Sequence, residues 1–149
     1  MTDLVFVDTN VFVYWLDSSE PAKQARAAAW LRELWPDRSG RLSYQVLLEF
    51  YVTVTRKLAR PLEAQEARSV CRSLLAWDPT ITEERTLAAA WALQDRYQLS
   101  WWDALIVASA QLLECRYLLT EDLQHGQDLG GVEVVNPFVT PAGRERAPG

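Results

Sequence analysis

The stretch "VFVDTNVFVYWLD" at residues 5–17 constrains this chain more than any other. Val5, Phe6 and Val7 are β-branched or aromatic, and with Leu4 they form an unbroken apolar run. A strand without polar alternation is one buried on both faces, as in a parallel sheet. The run stops at Asp8, and Thr9-Asn10 follow before the chain turns apolar again. An Asp in that position is either a turn or cap residue, or a carboxylate held at a strand end for chemistry. What the rest of the chain brings to the same place decides between the two.

Further along, the pattern alternates. Helices are expected over residues 11–16, from Pro21 to about 35, from Tyr44 to about 59 behind a Ser43 cap, and over 62–76. A helix over 83–97 capped by Thr82, and one over 101–114 after Ser100, complete the set. Residues 41–43 and 78–82 read as short strands, and Tyr117–Leu119 and Val132–Val135 as clearer ones. Strands alternating with helices predict an α/β fold, a three-layer sandwich with a mostly parallel central sheet flanked by helices. At 149 residues a single domain is expected, over residues 1–137, with a flexible tail at 138–149 that ends in "TPAGRERAPG". No apolar run approaches the roughly 20 residues needed to cross a bilayer, and no secretory leader is visible, so a cytoplasmic protein is expected. Cys71 and Cys115 stand apart in apolar helical context and read as buried thiols.

In parallel α/β sheets, ligands bind just outside the carboxyl ends of the strands. Carboxylates stand there. Asp8 follows the first strand, and Thr120-Glu121-Asp122 follows Tyr117–Leu119. Two more acids sit in apolar surroundings on helices. Glu49 is the only charge in "VLLEFYVTV", on a stripe with Gln45, Thr53 and Arg56, and Asp103 opens "DALIVASAQLL". Taken singly, each has an ordinary explanation: a solvated helix face for Glu49, a capping box with Ser100 for Asp103, a turn for Asp8, a loop for Asp122. Taken together, the four converge on one edge of the sheet. Two carboxylates about 4 Å apart repel by roughly 4 kcal/mol at an effective dielectric near 20. A fold stable by only about 5–15 kcal/mol does not carry several such pairs idly. Protons or a cation must neutralise them, and an all-oxygen donor set without His or Cys suits Mg²⁺ or Mn²⁺. Such a cation polarises a phosphoryl oxygen and lowers the pKa of water, which points to phosphodiester hydrolysis.

These residues resemble a known family. "VDTNVFVYWLD", the mid-chain Glu49, "LSWWDALIVASA" and "LLTEDLQHG", in that order, resemble the PIN-domain ribonucleases, and more narrowly the VapC toxins of type II toxin–antitoxin modules. The similarity runs over residues 3–137. It implies a Mg²⁺- or Mn²⁺-dependent endoribonuclease, neutralised by a VapB-like antitoxin and assembled as a homodimer. By match to the motif, Asp8, Glu49, Asp103 and Asp122 would be the acidic quartet that binds metal and carries catalysis. Asn10 and Thr120 would position waters or hydrogen-bond the ligands. For the fourth acid, Glu121 and Asp128 are the alternatives, and Asp122 fits the T-x-D pattern best. His125, the only histidine, is expected to serve loop structure.

Net charge is −5, which argues against broad electrostatic binding to nucleic acid, although a local basic cluster suffices for a phosphate contact. Arg56, Lys57 and Arg60 end the Glu49 helix; Arg56 and Lys57 are the RNA-binding candidates, and dipole-complementing charges the alternative. Of Trp101 and Trp102, one is expected in the core and one at the rim of the cleft, where it could stack on a base. Two other classes compete. A haloacid-dehalogenase-type phosphatase would need a second Asp where Asn10 stands, and a lysine after a later strand. A PIN-shaped RNA- or protein-binding module without activity would need no quartet.

Overall fold

The computed structural model describes residues 2–143. The elements are β1 (Val5–Val7), α1 (Thr9–Trp15), α2 (Pro21–Leu34), β2 (Gly40–Arg41), α3 (Tyr44–Arg56), α4 (Ala64–Leu74), α5 (Glu84–Tyr97), α6 (Trp101–Leu112), β3 (Tyr117–Leu119), β4 (Asp128–Leu129) and β5 (Val132–Val135). They form one α/β unit whose five strands are ordered β2-β1-β3-β5-β4. β1 runs parallel to β2 and β3, β3 parallel to β5, and β4 antiparallel to β5.

Every residue of β1 and β3 is buried, as an apolar run without alternation requires. Pairing of Val7 with Leu119 sets Asp8 and Thr120, the next residue on each strand, side by side. From β1 the chain goes out to β2 on one side and returns to β3 on the other. That is a topological switch point, where an open sheet leaves a crevice.

The helices fall near their expected places with local corrections. α1 starts at Thr9 rather than residue 11, because Asp8 is its cap: the Asp8 carboxylate accepts from Thr9 N at 2.7 Å. α3 stops at Arg56, not near 59, and α4 begins at Ala64, not 62, since Leu62 N bonds back to Val54 O and closes the connection. The expected strand over 78–82 does not form. Asp78 takes a left-handed φ of 54°, and a single bridge from Ser43 to Thr80 remains of it. Glu83, not Thr82, caps α5, because Thr86 supplies the reciprocal bond of a capping box. The strand expected at 41–43 lies at Gly40–Arg41, and β4 forms where no strand is expected.

Phe12 of α1 meets Phe50 edge-on at 6.3 Å and Trp77 at 6.1 Å, all three fully buried. Gly40 is required under that seam, because a Cβ there would lie 2.3 Å from the Trp77 ring. Of the segment expected to be loose, residues 144–149 lie outside the described residues. Before them, Trp30 Nε1 donates to Thr140 O at 2.9 Å, and the Phe138 ring packs edge-on against Tyr14. Among the described residues, no helix is long and apolar enough to cross a membrane.

Candidate active site

Asp8 is 5% exposed at the mouth of the crevice. Its two carboxylate oxygens accept from two donors, Oδ1 from Thr9 N at 2.7 Å and Oδ2 from Thr120 Oγ1 at 2.9 Å. The Thr120 hydroxyl is completely used. It gives its one hydrogen to Asp8 and accepts from Asn10 Nδ2 at 3.0 Å and Asp122 N at 3.1 Å. Asn10 Nδ2 also reaches Asp122 Oδ2 at 3.0 Å, so Asn10 and Thr120 join Asp8 to Asp122 from opposite ends of the chain. Thr9 Oγ1 donates to Glu49 Oε2 at 3.1 Å, and Gln45 Nε2 holds the other Glu49 oxygen at 3.0 Å. Ser100 caps α6 by accepting from Asp103 N at 3.1 Å, which fixes Asp103 in the first turn.

The electrostatics agree with that convergence. Burial pushes the Asp8 carboxyl up from 3.8 to about 7; the bonds from Thr9 and Thr120 oppose this, and the like charges of Asp122 and Glu49 add to it. Asp122 is also raised, by burial first, with Asp103, Glu121 and Glu49 adding like charge against the Asn10 bond. Asp122 therefore feels Glu49 and Asp103, and Asp8 feels Asp122 and Glu49.

Of the three alternatives for the fourth acid, only Asp122 touches Asn10 through its carboxylate. Glu121 Oε1 is held by Lys23 Nζ at 2.9 Å, and Asp128 lies on β4, where its Oδ1 accepts from Gly131 N. His125 holds a loop: its Nδ1 accepts from Asn136 N at 3.0 Å, and Nε2 lies 3.3 Å from Thr140 Oγ1. Of the basic candidates, Lys57 lines a hollow with Thr9, Glu49 and Thr53, while Arg56 is exposed outside it. Trp101 stacks on Trp91 at 6.4 Å. Trp102 is 63% exposed and lines a second hollow with Tyr44, Leu48, Glu49 and Ile81. Burial pushes the Cys115 thiol up to about 12, and Cys71, half-buried, is raised in the same direction.

The donors around Asp8 are carboxylate, hydroxyl and amide oxygens, which suit a hard divalent cation. Both Asp8 oxygens accept hydrogen bonds, the arrangement of an ionised carboxylate, yet burial and like charge oppose ionisation. A cation would resolve that conflict, so the residues fit one in kind. Among the described residues, no three of the acids form a ready-made ligand cluster; Thr9, Asn10 and Thr120 stand as hydrogen-bonded bridges between them. Thr9, Gln45 and Lys23 take part in this network and were not among the expected site residues. Thr9 had the clearer signal, flanked by Asp8 and Asn10.

The PIN domain family model matches residues 5–127, and the chain belongs to that family. No curated protein matches it. Solved structures that share the fold include three at 20–22% identity. One is described as a toxin-antitoxin complex from Klebsiella pneumoniae: 22% identity, TM-score 0.63, covering 89% of this chain and 97% of that one. A second is FitAcB from Neisseria gonorrhoeae: 20% identity, TM-score 0.65, covering 91% and 99%. The third, FitAB bound to an IR36 DNA fragment, has 20% identity, a TM-score of 0.70, and coverage of 91% and 96%.

Proposed function

We propose that this chain is a metal-dependent endoribonuclease acting as the toxin of a toxin–antitoxin module, of the VapC type. Asp8 carries the reading: a buried carboxylate, bonded as an anion, with Asp122 and Glu49 adding like charge at a sheet switch point. Asp8, Glu49, Asp103 and Asp122 would hold Mg²⁺ or Mn²⁺. When bound, such a cation neutralises charge developing on a phosphoryl oxygen and makes water a better nucleophile. The chain's own residues arrange the rest. Thr120 and Asn10 fix the angle between Asp8 and Asp122, and Thr9 with Gln45 fixes Glu49. Lys57 offers an ammonium to an RNA phosphate at the rim, and Arg56 extends that basic edge.

Membership of the PIN family supports the nuclease, and the neighbour described as a toxin-antitoxin complex from Klebsiella pneumoniae supports an antitoxin partner, which the VapC reading makes VapB-like. The exposed apolar side chains Leu48, Val52, Trp91 and Trp102 support a homodimer. A cytoplasmic site of action is part of the same proposal. The test is cleavage of a fluorescent single-stranded RNA pool with Mn²⁺, with EDTA, and by Asp8→Asn. Cleavage that needs Mn²⁺ and falls at least about a thousandfold in the variant, about 4 kcal/mol of barrier, supports the reading. A second reading, an inactive PIN-fold RNA- or protein-binding module, draws on the separation of the acids by their bridges. Cleavage unchanged in Asp8→Asn, or absent from wild type, favours it.

A further inference from the structure

We propose that Lys23 is a positioning residue: it draws Glu121 away from the acidic cluster, so that Asp122 is the acid presented to Asn10. The inference rests on the metal-site reading above. The chain leaves β3 as Thr120-Glu121-Asp122, two adjacent carboxylates at one strand end. Asn10 grips this loop at two points. Its Oδ1 accepts from Glu121 N at 3.4 Å, and its Nδ2 donates to Asp122 Oδ2 at 3.0 Å. An amide N–H does not by itself distinguish one carboxylate from its neighbour, and Glu121 is the longer of the two. What separates them is the cation on the other side.

Lys23 Nζ donates to Glu121 Oε1 at 2.9 Å and lies 3.3 Å from Tyr14 Oη. The same ammonium lies 4.4 Å from the centre of the Tyr14 ring and 5.1 Å from that of Phe138. The two rings pack edge-on, at 76° to each other. Four separate pieces of chain therefore meet at this ammonium: α1, α2, the loop after β3, and the segment after β5. An exposed lysine–glutamate pair has no comparable seat, and its geometry is loosely held. Here the aromatic walls fix the lysine, and the lysine fixes the glutamate. Even held there, Glu121 adds like charge to Asp122; without the lysine its carboxylate is free to turn toward a cluster that already carries more like charge than its burial favours.

The test uses the full chain as wild type, Lys23→Met, Lys23→Arg, Glu121→Gln and the double variant Lys23→Met/Glu121→Gln. Mn²⁺ alone is titrated by calorimetry, and kcat and KM are measured on RNA. Lys23→Met is expected to bind Mn²⁺ at least threefold more tightly, because a carboxylate has been released toward the site. Its kcat should fall about tenfold with KM within twofold. The double variant should recover kcat to within about threefold of wild type, and Lys23→Arg should keep at least half. Recovery in the double variant also excludes a folding defect, since it lacks the same ammonium. A double variant as poor as Lys23→Met overturns the proposal, as does a salt-dependent rise in KM without rescue, the mark of a phosphate contact. Wild type that binds Mn²⁺ while Lys23→Met behaves identically overturns the positioning role alone. Wild type that binds no Mn²⁺ overturns the metal-site reading and the role with it.

Discussion

Helix α1 meets two opposite environments within four residues. Thr9 and Asn10 hydrogen-bond to carboxylates whose like charges repel. Val11 and Phe12 are fully buried, and Phe12 meets Phe50 and Trp77 with no polar partner at all. The apolar seam stabilises the fold by excluding water. The acidic edge is held in place by that seam and by its own bridges, against its electrostatics. Stability and function separate along this one short helix, anchored on one face so that the other can hold groups that would not gather unaided.

Breaking the seam should have the largest effect. Phe12→Ala removes a fully buried ring and is expected to cost about 3–5 kcal/mol in urea unfolding. The folded fraction should keep its Mn²⁺ affinity, because no acid has been touched. A loss of affinity larger than the loss of folded protein would show that the two regions are not separable.

Raising pH tests the other region. The Asp8 carboxyl is raised in the fold from 3.8 to about 7, so the folded state holds its proton more tightly than the unfolded chain. Its contribution is full below about pH 4 and is lost as pH rises toward 7, a swing on the order of 4 kcal/mol at most. Asp122 is shifted in the same direction and adds to it. Metal-free wild type should therefore lose stability over this window relative to Asp8→Asn, measured as the difference between their melting temperatures at each pH. Parallel curves would contradict the assignment.

Thr120→Val cuts the bridge without touching an acid. The buried hydroxyl serves Asp8, Asn10 and Asp122, so about 1–3 kcal/mol of stability is expected to go. Cleavage should fall about 10–100-fold, because the ligands lose their orientation. Smallest is His125→Ala, which removes a loop staple outside the acids and should cost about 1 kcal/mol in the melt. Cleavage should stay within about twofold; a larger loss would bring His125 into the site.

Residues 4–7 and Tyr117–Leu119 were legible as strands because burial on both faces leaves no polar residue in the run, and the α/β class followed from their alternation with helices. Helix boundaries were harder, since caps compete locally. Thr82 looked like the cap of α5, but Thr86 three residues past Glu83 closes the box instead. The two residues of β4 had a signal only in the Gly130-Gly131 turn after them, where both glycines take positive φ. At the site, the acids were legible from their odd surroundings, and Asn10 and Thr120 through the family resemblance. The bond from Thr9 to Glu49 and the pair of Lys23 with Glu121 span 40 and 98 residues, distances over which periodicity carries no information. Of the basic candidates, Arg56 shares a stripe with Glu49 in the sequence, while the position of Lys57 at the hollow beside Glu49 is visible only in the fold.

The proposed function requires four acids that gather to hold a divalent cation. Thermal melting of wild type and Asp8→Asn, each with and without Mn²⁺, tests it most directly. Wild type should gain about 2.7 kcal/mol when Mn²⁺ is a hundredfold above its Kd. The variant should melt higher than wild type without metal, tempered by the Asn amide facing a Thr120 hydroxyl that already accepts two bonds, and should respond less to Mn²⁺. If Mn²⁺ moves neither melt, the acids are separate caps and turns, and the chain keeps the fold of its family without its metal chemistry.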